Sequence, residues 1–360
     1  MESLLLVLLL GLSATHPVSS VIRIRPETPV PRDWPCPSDP DIVPCICEAD
    51  TNFNLNMDCS GAVDELELQR IFQAPFPFYD LQSFTIVQDI NDLNNIRNLD
   101  SGVFADITFE IVNITGTKLQ TISENVFLKS HDRLKHLALS GNLISEFPFE
   151  TLSSFLKLET FHIDNNLISL LPNLDSNTLK DFNIDNNLNL KFEVDVFKNV
   201  PNLQSISMSN ISLTDLPPGL FAMQRNLSTL TLNDNQLTEL VENAIVPMNR
   251  RLNELSLVGN HISQVTHDAI HGLADNSRAS FANNEIKTLE KSIWQGIFSQ
   301  VAEKGIIDLK DNPLECGCDL KWLVVDNVDD YMHLLSRESA CTSGEFVSDL
   351  NPDYFNKFCP

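Results

Sequence analysis

The feature that most restricts how this chain can fold is a pattern, L-x-x-L-x-L-x-x-N-x-L, that recurs through its middle. Four copies are close to complete. They are Leu134, Leu137, Leu139, Asn142 and Ile144; Leu158, Phe161, Ile163, Asn166 and Ile168; Leu227, Leu230, Leu232, Asn235 and Leu237; and Leu252, Leu255, Leu257, Asn260 and Ile262. Looser frames open at Leu81, Phe109, Leu179, Leu203, Asn276 and Lys304. The ten starts are 28, 25, 24, 21, 24, 24, 25, 24 and 28 residues apart. Self-similarity at this period means stacked units, none of which can bury its apolar face alone. A chain of 360 residues would otherwise suggest one long or two ordinary domains. Stacking overrides that expectation, because a solenoid grows without a larger spherical core.

The L-x-L segment alternates apolar and variable residues, which predicts a short strand with the apolar side chains inward and the variable ones outward. At the Asn position the chain turns off the sheet. An amide has two donors and an acceptor, so it can satisfy backbone groups that the bend leaves inside. The predicted ladder is Asn142, Asn166, Asn187, Asn235, Asn260, Asn284 and Asn312, with Asp89 and Thr117 as polar substitutes. Ile211 cannot hydrogen-bond through its side chain and should break the ladder. Asn189 stands where Leu or Ile is expected, so irregular backbone is expected around 187–213. Phe104, Phe127, Phe197, Phe221, Ile245 and Ile270 precede the next frame by about six residues and predict a packing spine on the outer layer. Template and period are those of leucine-rich repeats. The expected fold class is α/β: a leucine-rich-repeat horseshoe with a parallel concave sheet and about ten repeats over residues 81–314.

A solenoid exposes apolar ends unless they are covered. Eight cysteines fall at the two ends of the array: Cys36, Cys45, Cys47 and Cys59, then Cys316, Cys318, Cys341 and Cys359. They predict an N-terminal cap over 36–80 and a C-terminal cap over 315–360. The N-terminus reads as a secretory signal over 1–20, built on the apolar run Leu4–Leu12 and followed by small and polar residues. A Pro-rich, extended lead-in is expected over 21–35. No later apolar run reaches membrane-spanning length, so no membrane anchor is expected. An even cysteine count behind a secretory signal favours disulfides. The alternative is two zinc sites, but neither cluster has paired Cys-x-x-Cys knuckles. Spacing permits three pairings in each cluster.

Lys and Arg total 24 against 49 Asp and Glu, a net charge of −25. Such a surface repels phosphate backbones and anionic lipid, so no nucleic-acid partner is expected. There is no G-x-S-x-G, G-x-x-x-x-G-K, H-E-x-x-H or G-x-G-x-x-G. His267 and His271 are four apart, as metal ligands on a helix would be, but Asp268 rather than a general-base Glu lies between them, and two polar residues on the convex layer is the expected reading. No catalytic residue, metal or cofactor is expected. The outward strand positions are the better place to look for a site. His136 and His162 fall on adjacent concave strands, Asp164 and Asp185 at equivalent positions of successive strands, and Asp234, Asp308 and Asp311 add negative charge. An acidic groove receiving a basic partner or calcium is the functional reading; a merely solvated sheet is the expected one. Large aromatics are missing from these positions. Sequons place candidate glycans at Asn113 and Asn210, on outward strand positions, and at Asn226, in the loop before a strand.

Further details are more specific. Asn312-Pro313-Leu314-x-Cys316-x-Cys318-x-Leu320-x-Trp322-Leu323 resembles a leucine-rich-repeat C-terminal cap, and the first cluster resembles the matching N-terminal cap. That resemblance implies pairs Cys316–Cys341 and Cys318–Cys359, and Cys36–Cys47 and Cys45–Cys59. With Cys36-Pro37, Pro44-Cys45-Ile46-Cys47, Met57-Asp58-Cys59-Ser60, Ile71-Phe72, Phe76-Pro77-Phe78, the run 104–110, Ser145-Glu146-Phe147-Pro148-Phe149 and Cys316-Gly317-Cys318-Asp319, the chain from Cys36 to Cys359 resembles the leucine-rich, non-catalytic luciferase subunits of deep-sea shrimp and their arthropod relatives. The resemblance implies a secreted protein that is not an enzyme by itself and that supports a partner, a small secreted catalytic chain performing the oxidation. An extracellular recognition or adhesion module is the alternative expectation.

Overall fold

The computed structural model describes residues 34–360 except 92, 93, 250, 302 and 303. The expected signal, 1–20, and all but the last two residues of the expected lead-in lie outside the described residues.

Each of the ten frames supplies one strand of a twelve-stranded sheet. The strands are Asp80–Val87, Thr108–Thr115, His136–Ala138, Thr160–His162, Asp181–Asn183, Ser205–Ser207, Thr229–Thr231, Leu252–Ser256, Leu273–Ser280 and Ile306–Asp308. All pair in parallel, and the central apolar residue of each frame meets its counterpart: Leu137 with Phe161, Phe161 with Phe182, Phe182 with Ile206, Ile206 with Leu230 and Leu230 with Leu255. A one-residue slip would turn these side chains to solvent, so burial enforces the register. The ninth frame begins at Asn276, which is unsuited to the core. Leu273 takes over the buried position and pairs with Leu252, and the register shifts between Leu252 and Glu254 to accommodate it.

The amides do what the bend requires. Asn166 donates to the carbonyls of Leu139, one rung back, and Ile163 at 2.9 and 3.1 Å, while its Oδ1 accepts from Ile144 N at 2.9 Å. Asn142, Asn187, Asn235, Asn260, Asn284 and Asn312 repeat this arrangement and are all buried. Thr117 substitutes as expected: it is buried and its hydroxyl donates to Asn142 Oδ1 at 2.7 Å. Asp89 does not substitute. It is exposed, and the buried amide in its rung is Asn94, which donates to Asp89 O at 3.1 Å. Burying an unpaired carboxylate would cost far more than burying an amide. At Ile211 the ladder breaks. Asn189 N, which would reach the next rung's ladder amide, instead finds Ser212 Oγ at 3.4 Å. The irregularity is confined to two additional left-handed residues, Asn189 (φ 62°) and Ser212 (φ 64°), while the sheet runs through in register. Gly116 meets a different demand of the bend: with φ +70°, an added Cβ would lie 1.8 Å from Gln88 O.

The six spine residues are all buried. Phe104 stacks on Phe127 at 5.8 Å and Phe197 on Phe221 at 6.0 Å. Each such burial contributes roughly 1.5–3 kcal/mol. The sequence reading had not singled out the buried polar residues that satisfy the starts of strands. Ser130 Oγ accepts from Phe109 N at 3.0 Å, Ser176 Oγ from Leu179 N at 3.2 Å, and Gln300 Oε1 from Leu273 N at 3.3 Å.

The hairpin Ile46–Ala49 and Leu55–Asp58 begins the sheet, and Leu55–Asp58 pairs in parallel with Asp80–Val87. Cys36 is bonded to Cys47 and Cys45 to Cys59. The following helix, Glu65–Phe72, has reciprocal end bonds: Asp64 accepts from Glu67 N at 2.9 Å and Glu67 from Val63 N at 3.0 Å. At the far end Cys316 is bonded to Cys341 and Cys318 to Cys359. Trp322 packs there between Phe298 and Tyr331, its indole N–H donating to Leu289 O at 2.8 Å. Among the described residues, no helix is long and apolar enough to cross a membrane.

Candidate functional site

The outward residues of the sheet form two rows. One runs Asn113, Ala138, His162, Asn183, Ser207 and Thr231; the other runs His136, Thr160, Asp181, Ser205, Thr229 and Glu254. Most are polar because the alternation of each strand sends the large apolar side chains inward, with Ile111 and Ile306 the outward exceptions at the two ends of the second row.

Charge gathers in the middle of this face. His162 Nε2 lies 3.3 Å from Asp181 Oδ2, diagonally across adjacent strands. That bond is the main cause raising the His162 pKa above its ordinary value, and the charges of Asp181, Asp164 and Asp185 add to it. The same bond lowers the Asp181 carboxyl. Asp164 and Asp185 were expected on strands but fall two residues beyond the strand ends, where the ladder Asn has already begun to turn the chain. Both are held. Ser140 Oγ donates to Asp164 at 2.6 Å, and Ser207 Oγ donates to both oxygens of Asp185 at 2.8 Å. Burial nonetheless pushes the Asp185 carboxyl up.

The remaining expected residues are dispersed. His136 is exposed and makes no bond to this cluster. Asp234 is exposed at a left-handed residue (φ 53°), two rungs along from Asp185. Its Oδ1 lies where Gly259 (φ +72°) has no side chain; a Cβ there would come within 2.3 Å. Asp181, the direct partner of His162, was missed by the sequence reading. Its signal was the alternation Asp181-Phe182-Asn183 in the fifth frame, which departs from the template at Asn189. Asn113 sits in the middle of its strand, half-buried. Asn210 is not on a strand as expected: it holds the left-handed turn position (φ 51°) and donates to Asn186 Oδ1 at 2.8 Å. Asn226 lies in the loop before Thr229–Thr231 and accepts from Arg251 Nη1 at 3.3 Å. His267 and His271 are not on a helix. Both turn to one carboxylate, Asp268, at 2.8 and 3.2 Å. Among the described residues no group of three or more His, Cys, Asp or Glu could hold a metal.

The His162–Asp181 pair sets a pH dependence. With the folded-state histidine pKa raised, its contribution to stability is full below the ordinary histidine value and is lost as pH rises through the raised one. With the Asp181 pKa lowered, its contribution is present above the ordinary carboxylate value and is lost as pH falls through the lowered one. The pair therefore holds in the acid-to-neutral window. The two side chains are 33% and 43% exposed, so screening keeps its worth under about 1 kcal/mol. A proton NMR titration of the histidines is expected to show His162 titrating above the ordinary range. Asp181→Asn should bring it down; an unmoved His162 would contradict the pairing.

A family model described as a leucine rich repeat matches residues 177–249, and one described as a BspA type leucine rich repeat region of six copies matches 75–174. A chain of the octameric complex of Latrophilin 3, Unc5D and FLRT2 (LRR) superposes with a TM-score of 0.66 at 18% identity, over 87% of this chain and 99% of that one. The protein is thus a leucine-rich-repeat solenoid with a disulfide pair at each end. Over 330 residues, 90% of this chain and 88% of the relative, it is 30% identical to the Oplophorus-luciferin 2-monooxygenase non-catalytic subunit of Oplophorus gracilirostris, and it belongs to that subunit's family. Partial matches include human vasorin, 27% identical over 44% of this chain and 24% of vasorin, and chicken Tsukushi, 26% identical over 48% and 47%.

Proposed function

We propose that this chain is a secreted, non-catalytic accessory subunit that binds and stabilises a partner protein on its concave face, the partner being a small secreted catalytic chain of a luciferase-like monooxygenase. The observation that carries this reading is the end-to-end match, 90% of one chain on 88% of the other, to a subunit named as non-catalytic. The geometry agrees with it. A rigid sheet offers three carboxylates around one imidazole, and those charges favour a partner with a basic patch. A partner that binds only the folded solenoid stabilises it by mass action, and the effect is reciprocal. Secretion fits the four disulfides, which persist in oxidising compartments.

The test is affinity capture of tagged protein from the secretions of the source tissue, followed by mass spectrometry. A small chain recovered in stoichiometric amount, with oxidase activity that outlasts heating better in the complex than alone, is the expected result. Repeated recovery of the protein alone would overturn the reading. The partial matches to vasorin and Tsukushi favour a second reading, an extracellular recognition or adhesion module. Capture of receptor ectodomains or matrix proteins, with no effect on any oxidase, would establish that one.

A further inference from the structure

Asp164 and Asp185 lie on one rim of the concave sheet, beyond the strand ends. The opposite rim, where the strands begin, differs in chemistry. Two hollows of about 400 and 470 Å³ lie along it and share Gln204 and Asn226 in their lining, so they form one continuous groove. It passes the starts of successive strands from Lys135 to Arg251.

Amides line it in series: Asn177, Asn202, Gln204, Asn226 and Asn253. Cations stand among them: Lys135, Lys157, Lys180 and Arg251. Lys135 and Lys180 are each bonded to a glutamate at 2.8 Å, Glu110 and Glu159. Lys157 has no ion-pair partner among the described residues, and Arg251 bonds only the neutral Asn226. Glu159 also lines the groove and Lys157 acts electrostatically on Glu110, so the four cations outnumber these two carboxylates, a local excess of positive charge in a chain of net charge −25. The lining is nearly devoid of apolar anchors; Leu156 and Ala274 are the exceptions. A peptide ligand would draw its affinity chiefly from aromatic or aliphatic anchors, and the lining has no aromatic and few aliphatic side chains to receive them. It offers instead five amides over four successive rungs, Asn202 and Gln204 sharing one of them, and an amide can both donate and accept. Rungs about 4.8 Å apart spread these groups on the scale of one sugar of an extended pyranose chain.

We infer that the rim groove is a binding site for an acidic oligosaccharide, its hydroxyls held by the amide series and its carboxylates or sulfates by Lys157 and Arg251. The site is separate from the carboxylate cluster and does not depend on the protein-partner reading. A glycan on Asn226 would enter the same groove, so the test uses protein made in a bacterial periplasm, where disulfides form and this glycan does not. Binding is measured by calorimetry with three probes of equal length: a galacturonic acid hexamer, a neutral glucose hexamer and hexaglutamate. The expected result is binding of the uronic acid hexamer at least about tenfold tighter than either of the others. The double variant Lys157→Glu with Arg251→Glu should lose that preference, whereas Asp164→Asn with Asp185→Asn on the far rim should keep it. Equal binding of hexaglutamate, equal binding of the neutral hexamer, no binding of the uronic acid hexamer, or unchanged binding by the Lys157/Arg251 variant would each overturn the inference.

Discussion

Asn187→Leu is expected to destabilise the fold by about 3–5 kcal/mol, although the two side chains are similar in size. Asn187 is fully buried. It donates to Ile163 O at 3.1 Å and Ile184 O at 3.0 Å and accepts from Ile168 N at 2.9 Å. Leucine would strand one N–H and weaken the satisfaction of two carbonyls inside the turn, at about 1–3 kcal/mol for each group left unpaired. The reverse change one rung along should behave differently. Ile211→Asn gives up an apolar side chain but supplies an acceptor for Asn189 N, now served by Ser212 Oγ at 3.4 Å. Its net effect should lie within about 1 kcal/mol of zero. Guanidinium unfolding monitored by hydrogen exchange measures both, and exchange should quicken first in the strands flanking Asn187. Equal destabilisation by the two changes would mean that shape, not amide bonding, governs the turn.

Removing both disulfides of the C-terminal cap, with serine at Cys316, Cys341, Cys318 and Cys359, should have the second large effect. The bonds close loops of 25 and 41 residues, worth on the order of 3 to 4 kcal/mol each in the chain-entropy model. Their loss acts locally. The cap covers the last strand through the pairing of Ile307 with Leu335 and carries the buried Trp322 and Leu323. With it loosened, Ile306–Asp308 becomes an open apolar edge, and unfolding should start there and run inward, since each repeat leans on its neighbour. Hydrogen exchange along residues 273–314 should rise while the strands near Asp80–Val87 keep their protection. A uniform loss of protection would show instead that the solenoid unfolds as one unit.

The ten strands and their register were legible because a buried leucine repeats at fixed spacing, and a slip would expose all of them at once. The ladder was legible where the residue is Asn and misread at Asp89, because the buried amide there is Asn94, five residues outside the template's position. Ser130, Ser176 and Gln300 escaped notice because they lie in the variable outer segments, three or four residues before the next frame, where the template fixes no residue type, although each satisfies a buried backbone N–H. The site was only partly legible. His162 could be placed on its strand by counting from the template, whereas Asp164 and Asp185 fall past the strand ends, and the contact of His162 with Asp181 depends on a diagonal between adjacent strands that a one-dimensional pattern does not express. His267 and His271 looked like a ligand pair only if the segment were helical; in a turn they converge on Asp268.

The most direct test of a partner site on the concave face is the affinity of the captured partner for the triple variant Asp164→Asn, Asp185→Asn and Asp234→Asn, beside the unaltered protein, over a range of salt concentrations. The amides preserve size and, on each, the one acceptor oxygen that Ser140 Oγ or Ser209 N uses, and lose the exposed bond from Asn165 to Asp164, so the melting curve should move little while charge is lost. Association slowed roughly tenfold or more, with a flatter dependence on salt, is the predicted result. Unchanged association rate and salt dependence in a variant that melts like the original would place the partner elsewhere on the molecule.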